Sequence, residues 1–167
     1  LVMRFDPTCV QEIEIREVAA EFVQVGGDQC GSGDVNSDAA ENVLDIVGLA
    51  TCVLAENCTD CEGDMNADGV YNVLDIVALA TCVLAENCSG SGRADSSTSS
   101  VFDATSAEFN VIGNEVTMTA DGVVGGIQMT LSHGNDFALT LTDKAMVAEY
   151  LTDGNTTRLI IVAPEDN

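Results

Sequence analysis

Two stretches of the chain, VLDIVGLATCVLAEN from Val43 and VLDIVALATCVLAEN from Val73, place apolar residues at helical spacing but on nearly every side. The pattern predicts two helices ending at Asn57 and Asn87. In the first, Val43, Leu44, Ile46, Val47, Leu49, Ala50, Val53 and Leu54 cover more than the roughly 100°-wide stripe that a surface helix needs. From Ser106 onward the period changes to two. Short strands are predicted over 108–112, 115–119, 126–131, 137–142, 146–151 and 158–162, with Gly, Asn and Asp between them. At the other end, LVMRF and QEIEIREVAAEFVQV supply two or three further alternating segments. The expected class is α+β, a helical module set between two groups of antiparallel strands.

The helices belong to a repeat. Residues 33–58 and 63–88 are identical at 20 of 26 positions, with a period of 30. Each copy opens D-x-N-x-D-x-x-x-N-x-x-D, which puts oxygen-bearing side chains at positions 1, 3, 5, 9 and 12 of a twelve-residue loop. That is the spacing with which one chain wraps oxygens around a hard cation such as Ca²⁺. The expected ligands are Asp34, Asn36, Asp38, Asn42 and Asp45 in the first loop, with the Ala40 carbonyl at position 7. In the second they are Asp64, Asn66, Asp68, Asn72 and Asp75, with the Val70 carbonyl. Two Ca²⁺ ions are therefore expected. The sharp turn at position 6 favours glycine; Gly69 meets that need, while Ala39 occupies the place in the first loop and predicts a strained or weaker site. Asn and Asp also serve as helix caps and turn residues, but recurrence of all five in register favours the cation.

No helical pattern precedes either loop, and position 12 is Asp where an ordinary EF-hand has Glu. In these features residues 33–88 resemble dockerin, a duplicated loop-helix calcium module. The resemblance implies docking onto cohesin domains in calcium-dependent extracellular assemblies. Positions 10 and 11, which help choose the partner in that family and often carry hydroxyls, are Val43–Leu44 and Val73–Leu74 here. A helix pair can bury one face of each member against the other, which leaves aliphatic side chains on the remaining faces. Val43, Leu44 and Val47, with Val73, Leu74 and Val77, are the expected docking surface for a sheet or a neighbouring subunit.

Charge narrows the partners. With 28 acidic and five basic residues the net charge is −23, which excludes an electrostatic footprint for nucleic acid and disfavours anionic membranes. No apolar run reaches the length of a membrane span, and no signal peptide is seen, so an exported protein would be represented by its mature or trimmed form. Seven cysteines, six of them around the repeats, predict an oxidising extracellular compartment and disulfides within the module. Cys30 and Cys61 precede the loops, Cys52 and Cys82 lie in the helices, and Cys58 and Cys88 follow them; the pairing is open, and Cys9 is left over. Asn57, Asn87 and Asn155 each begin an N-glycosylation triplet. Residues 89–100, SGSGRADSSTSS, have the composition of a flexible linker.

The stretch GNEVTMTADGVVGGIQMTLSHG followed by NTTRLIIVAPED resembles the first half of a cohesin-like β-sandwich, and residues 1–29 resemble its closing half. The expected divisions are thus 1–29 for closing strands, 30–89 for the calcium module, 90–104 for a linker and 105–167 for opening strands. The halves can close within one chain, pair head-to-tail between protomers, or belong to a longer run of repeated units.

No catalytic constellation is expected. His133 is the only histidine, placed by pattern in a turn between strands, and the chain has no tryptophan and 4% aromatic residues, poor equipment for a sugar-binding cleft. The leading expectation is a non-enzymatic, calcium-rigidified extracellular protein that self-assembles through strand exchange and helix docking into a fibre or scaffold. The alternative is a dockerin-bearing anchor that binds a separate cohesin in a cellulosome-like polysaccharide-degrading complex.

Overall fold

The structure is a computed structural model that describes residues 2–5, 10–19, 31–59, 61–86, 88 and 104–162. The class is mixed α+β, with eight strands and two α-helices among the described residues. The chain divides into two compact units: residues 1–20 with 101–167, and residues 21–100.

The unit of residues 21–100 is built on two loop-helix repeats. Helix α1 (Val43–Ala55) starts where the Asn42 side chain accepts the Leu44 N–H and the Asp45 carboxylate accepts the Asn42 N–H, a reciprocal capping box. Helix α2 (Val73–Leu84) starts in the same way on Asn72 and Asp75. Helix α1 stops at Glu56, whose left-handed backbone (φ 52°) turns its N–H onto the Cys52 and Val53 carbonyls. Both helices are shorter than the predicted segments because their last residues unwind into these turns. Ile46, Leu49, Ala50, Ile76 and Leu79 are buried, so the apolar surplus is spent first on a helix–helix core. Thr51 and Thr81, which interrupt the apolar run, donate their hydroxyls to the Val47 and Val77 carbonyls, each at 2.8 Å. The two loop entries lie side by side: the Gly31 N–H donates to the Cys61 carbonyl (2.8 Å) and the Gly33 N–H to the Glu62 carbonyl (3.0 Å). Gly31 is needed there, since at φ +83° a Cβ would stand 2.7 Å from the Asp64 carbonyl oxygen.

Disulfides brace this unit. Cys52–Cys58 and Cys82–Cys88 each tie a helix to the chain that follows it, and Cys61 is also disulfide-bonded. Cys9 and Cys30 lie outside the described residues.

The other unit holds two four-stranded antiparallel sheets. Strands β1 (Val2–Phe5), β3 (Ala107–Ile112), β4 (Glu115–Ala120) and β6 (Leu139–Thr140) form one, in the order β3-β4-β1-β6. Strands β2 (Val10–Ala19), β5 (Gly126–His133), β7 (Val147–Asp153) and β8 (Thr156–Val162) form the other, in the order β2-β5-β8-β7. The amino-terminal strands pair with strands from the far end of the chain: Met3 lies opposite Val116, Phe5 opposite Leu139, and Ile13 opposite Leu131. One core, made by Val116 of the first sheet with Ile127, Met129, Leu131, Leu159 and Ile161 of the second, serves both. Period two is clear in β5, where Ile127, Met129 and Leu131 are buried and Gln128, Thr130 and Ser132 are half-buried.

Three features differ from the expected pattern. Strand β8 buries both faces, with Ile160 and Val162 as inaccessible as Leu159 and Ile161. The run predicted over 137–142 pairs only at Leu139–Thr140. His133 is the last residue of β5 and not part of a turn; it is buried, stacked on Phe137 with ring centroids 4.0 Å apart. Its ring nitrogens contact the Gly134 carbonyl (Nδ1, 2.9 Å) and the Thr157 hydroxyl (Nε2, 2.8 Å), and Thr157 in turn contacts the Thr152 hydroxyl at 2.7 Å. This network pins the end of β5 to the β7–β8 hairpin, assisted by Asn155 Nδ2 donating to the His133 carbonyl at 2.8 Å.

Candidate functional site

The two twelve-residue loops fold alike, and the sequence explains why. In the second, the Asp64 carboxylate accepts the N–H groups of Asp68 (3.2 Å) and Gly69 (3.0 Å), and Asn66 Oδ1 also accepts the Asp68 N–H at 3.0 Å. The Asp68 carboxylate accepts the Val70 N–H at 2.7 Å. Asp75, nine residues beyond Asn66, reaches back to accept the N–H groups of Asn66 (3.3 Å) and Asn72 (3.0 Å). The first loop repeats this set with Asp34, Asn36, Asp38 and Asp45. Acidic and amide oxygens at positions 1, 3, 5 and 12 are thereby turned inward over one stretch of backbone.

Position 9 does something else first. Asn42 and Asn72 spend Oδ1 on capping the helices, and Asn42 Nδ2 donates to the Ala40 carbonyl at 2.8 Å. A carbonyl oxygen has a second lone pair, so these atoms retain acceptor capacity beyond the hydrogen bond each makes.

The loops differ in exposure at positions 1 and 3: Asp64 and Asn66 are buried at 8% and 5% relative accessibility, whereas Asp34 is half-buried and Asn36 exposed. Asp45 and Asp75 are fully buried, and Asp38 and Asp68 exposed, in both loops. Burial raises the Asp75 pKa to about 6, and the neighbouring charges of Asp64 and Asp68 push the same way against the hydrogen bonds from Asn72 and Asn66. Between residues 31 and 88 the sequence has no Lys, Arg or His, so this segment supplies no cation of its own to offset the carboxylates. Among the described residues no three His, Cys, Asp or Glu side chains close up as a metal cluster. The donor set of each loop, all oxygen and net negative, fits a hard divalent ion such as Ca²⁺.

Backbone strain distinguishes the loops as well. Ala39 adopts φ 65° where Gly69 adopts φ 80°, so the position-6 turn is the same in both and only the second has the residue suited to it.

The expected docking surface is divided by the fold. On α1, Val43, Leu44 and Val47 are 51%, 62% and 38% exposed and make a continuous apolar face. On α2, Leu74 and Val77 are half-buried and Val73 is fully buried, so Val73 is removed from the surface and belongs to the core. Identical residues in the repeats meet different tertiary surroundings, which their local sequence does not encode. Of the glycosylation triplets, Asn57 and Asn155 are exposed and Asn87 lies outside the described residues. Among the described residues no helix is long and apolar enough to cross a membrane.

Comparison with protein-family models, with curated proteins and with solved structures finds no match to this chain.

Proposed function

We propose that this chain is a non-enzymatic, extracellular structural protein, stiffened by two Ca²⁺ ions, that assembles with copies of itself into a fibre or scaffold. The observation that carries the calcium assignment is the buried Asp64, Asn66 and Asp75 set in a segment without basic residues. Buried carboxylates are normally paired or bind metal. The ion would be held by Asp64, Asn66, Asp68, Asn72 and Asp75 with the Val70 carbonyl, and in the first loop by Asp34, Asn36, Asp38, Asn42 and Asp45 with the Ala40 carbonyl. It supplies the positive charge that lets these oxygens sit together, which locks each loop onto its helix. Two disulfides in the same unit suit an oxidising compartment.

Assembly is supported by two features. The apolar face of α1 has the character of an interaction surface. The two four-stranded sheets, each completed by an amino-terminal strand, suit a cohesin-like sandwich whose halves come from the two ends of the chain. The exposed α1 face equally favours a second reading, a dockerin-like anchor that binds a separate cohesin. Electron microscopy in millimolar calcium and after chelation separates them. Filaments that fray on chelation, and that are lost in Val43→Asp/Leu44→Asp, are expected for self-assembly; discrete particles in both conditions would refute it and leave the anchor.

A further inference from the structure

Strand β1 occupies an interior place in its sheet although its partners lie more than a hundred residues away in the chain. It pairs antiparallel with β4 through Val2, Met3 and Arg4 opposite Thr117, Val116 and Glu115. On its other side it pairs antiparallel with β6 through Arg4 and Phe5 opposite Thr140 and Leu139. Strands β4 and β6 therefore run parallel to each other, about 10 Å apart across a single strand's width. Without β1 both would present unpaired backbone to solvent. Strand β2 has the complementary position, at the edge of the second sheet, pairing among the described residues with β5. The segment from Val2 to Ala19 thus contributes one strand to each sheet, and β1 and β2 do not pair with each other. Its ladder partners all come from residues 115–140.

The covalent path between this donor segment and its acceptor runs through the whole of the other unit, residues 21–100. We infer that residues 2–19 are exchanged between copies: β1 of one chain enters the β4–β6 slot of a second copy while its β2 adds to that copy's β5. The inference rests on the self-assembly reading and names the surface that does it. A second copy offers the same register, so exchange loses none of the pairings seen within one chain, as in domain swapping. The contact is heterologous. Each copy donates residues 2–19 and accepts at 104–162, so the contact propagates, and the loop-helix unit lies in series between successive junctions. Closure within one chain does not depend on concentration whereas exchange between copies does, so exchange is favoured in concentrated solution.

The test uses full-length chains in a Cys9→Ser background. Met3→Cys is made in one preparation and Val116→Cys in another, and Arg4→Cys and Glu115→Cys form a second pair. Neighbouring antiparallel pairs alternate between hydrogen-bonded and non-hydrogen-bonded sites, so one of the two pairs has the shorter Cα separation. Each pair of preparations is mixed, unfolded in acidic guanidinium to hold the native disulfides, refolded together at high concentration in millimolar calcium, oxidised, and run on a denaturing gel without reductant. A band at twice the chain mass, absent when either variant is refolded alone, is expected, since such a link can form only between copies. Double variants carrying both cysteines are expected to give a ladder at high concentration and a compact monomer at high dilution. If the mixtures stay monomeric while the double variants link only within themselves at every concentration, exchange is overturned. The same holds if the double variants form no link at all. Filaments without cross-links would overturn exchange and keep self-assembly by another surface; cross-linked closed dimers without filaments would support exchange and remove the fibre.

Discussion

In chelator, the unit of residues 21–100 is expected to lose stability as pH rises from about 4 to about 7, the reverse of the usual behaviour of a native carboxylate. The cause is Asp75. Its pKa in the fold is raised from 3.8 to about 6, chiefly by burial and then by Asp64 and Asp68. A group that holds its proton more tightly folded than unfolded stabilises the fold below both pKa values, and that stability is lost as pH climbs from the unfolded value to the folded one. Two pH units correspond to at most about 3 kcal/mol, and solvent screening of a loop site brings the expected effect to roughly 1–2 kcal/mol. Bound calcium reverses the sign, because the ion competes with the proton and favours the carboxylate. Asp75→Asn cannot titrate, so it should flatten the slope in chelator, and it should forfeit much of the stabilisation by calcium, which is about 2.7 kcal/mol at a hundredfold excess over Kd. Thermal unfolding followed by helical circular dichroism, at stepped pH with and without calcium, reads both effects. Subtracting the Asp75→Asn series from the parent removes the contribution of other carboxylates. A difference curve that is flat between about pH 4 and 7, or one that keeps its sign when calcium is added, would show that Asp75 neither holds a proton in the fold nor meets the ion.

Three other substitutions probe separate points. Ala39→Gly should raise stability by about 1 kcal/mol, because φ 65° penalises a Cβ, and a calcium titration should show tighter binding; an unchanged melt would argue against strain at that turn. Thr130→Val should be neutral or stabilising by roughly 1 kcal/mol, since the Thr130 hydroxyl is buried without a hydrogen-bond partner and valine has the same shape; a clear loss in denaturant unfolding would show that the hydroxyl is satisfied. Asp121 accepts the Thr105 hydroxyl (2.6 Å) and the N–H groups of Thr105 (2.7 Å) and Ser106 (2.9 Å), which hold its carboxyl below the usual range. A lowered pKa contributes stability above the unfolded value that is lost as pH falls toward the folded one, so Asp121→Asn should reduce acid sensitivity, measured as the drop in melting temperature between neutral and acidic buffer.

What local sequence determined here is what short-range geometry can settle. The loops and both helices were legible because most of the interactions that shape them span twelve residues or fewer: Asp75 closes on Asn66 and Asn72, and Asn72 caps Leu74, a role the sequence pattern ranks below that of cation ligand. Alternation likewise located most strands of residues 108–162, since period two follows from the pleat itself. Composition marked the disulfide-bearing unit but not its connectivity, which depends on how each helix end turns. The tertiary structure decided the rest. Whether Val43 or Val73 faces solvent depends on what packs against each helix, and the two repeats are identical there. Burial of His133 follows from its partners on β8 and on the residues after β5, and the second buried face of β8 has no signature in a pattern that reads equally well as half-buried. Above all, strand order is a long-range property. The alternation of LVMRF identifies a strand, but only the completed sheet places it between β4 and β6, because backbone hydrogen bonds between strands carry no record of sequence distance.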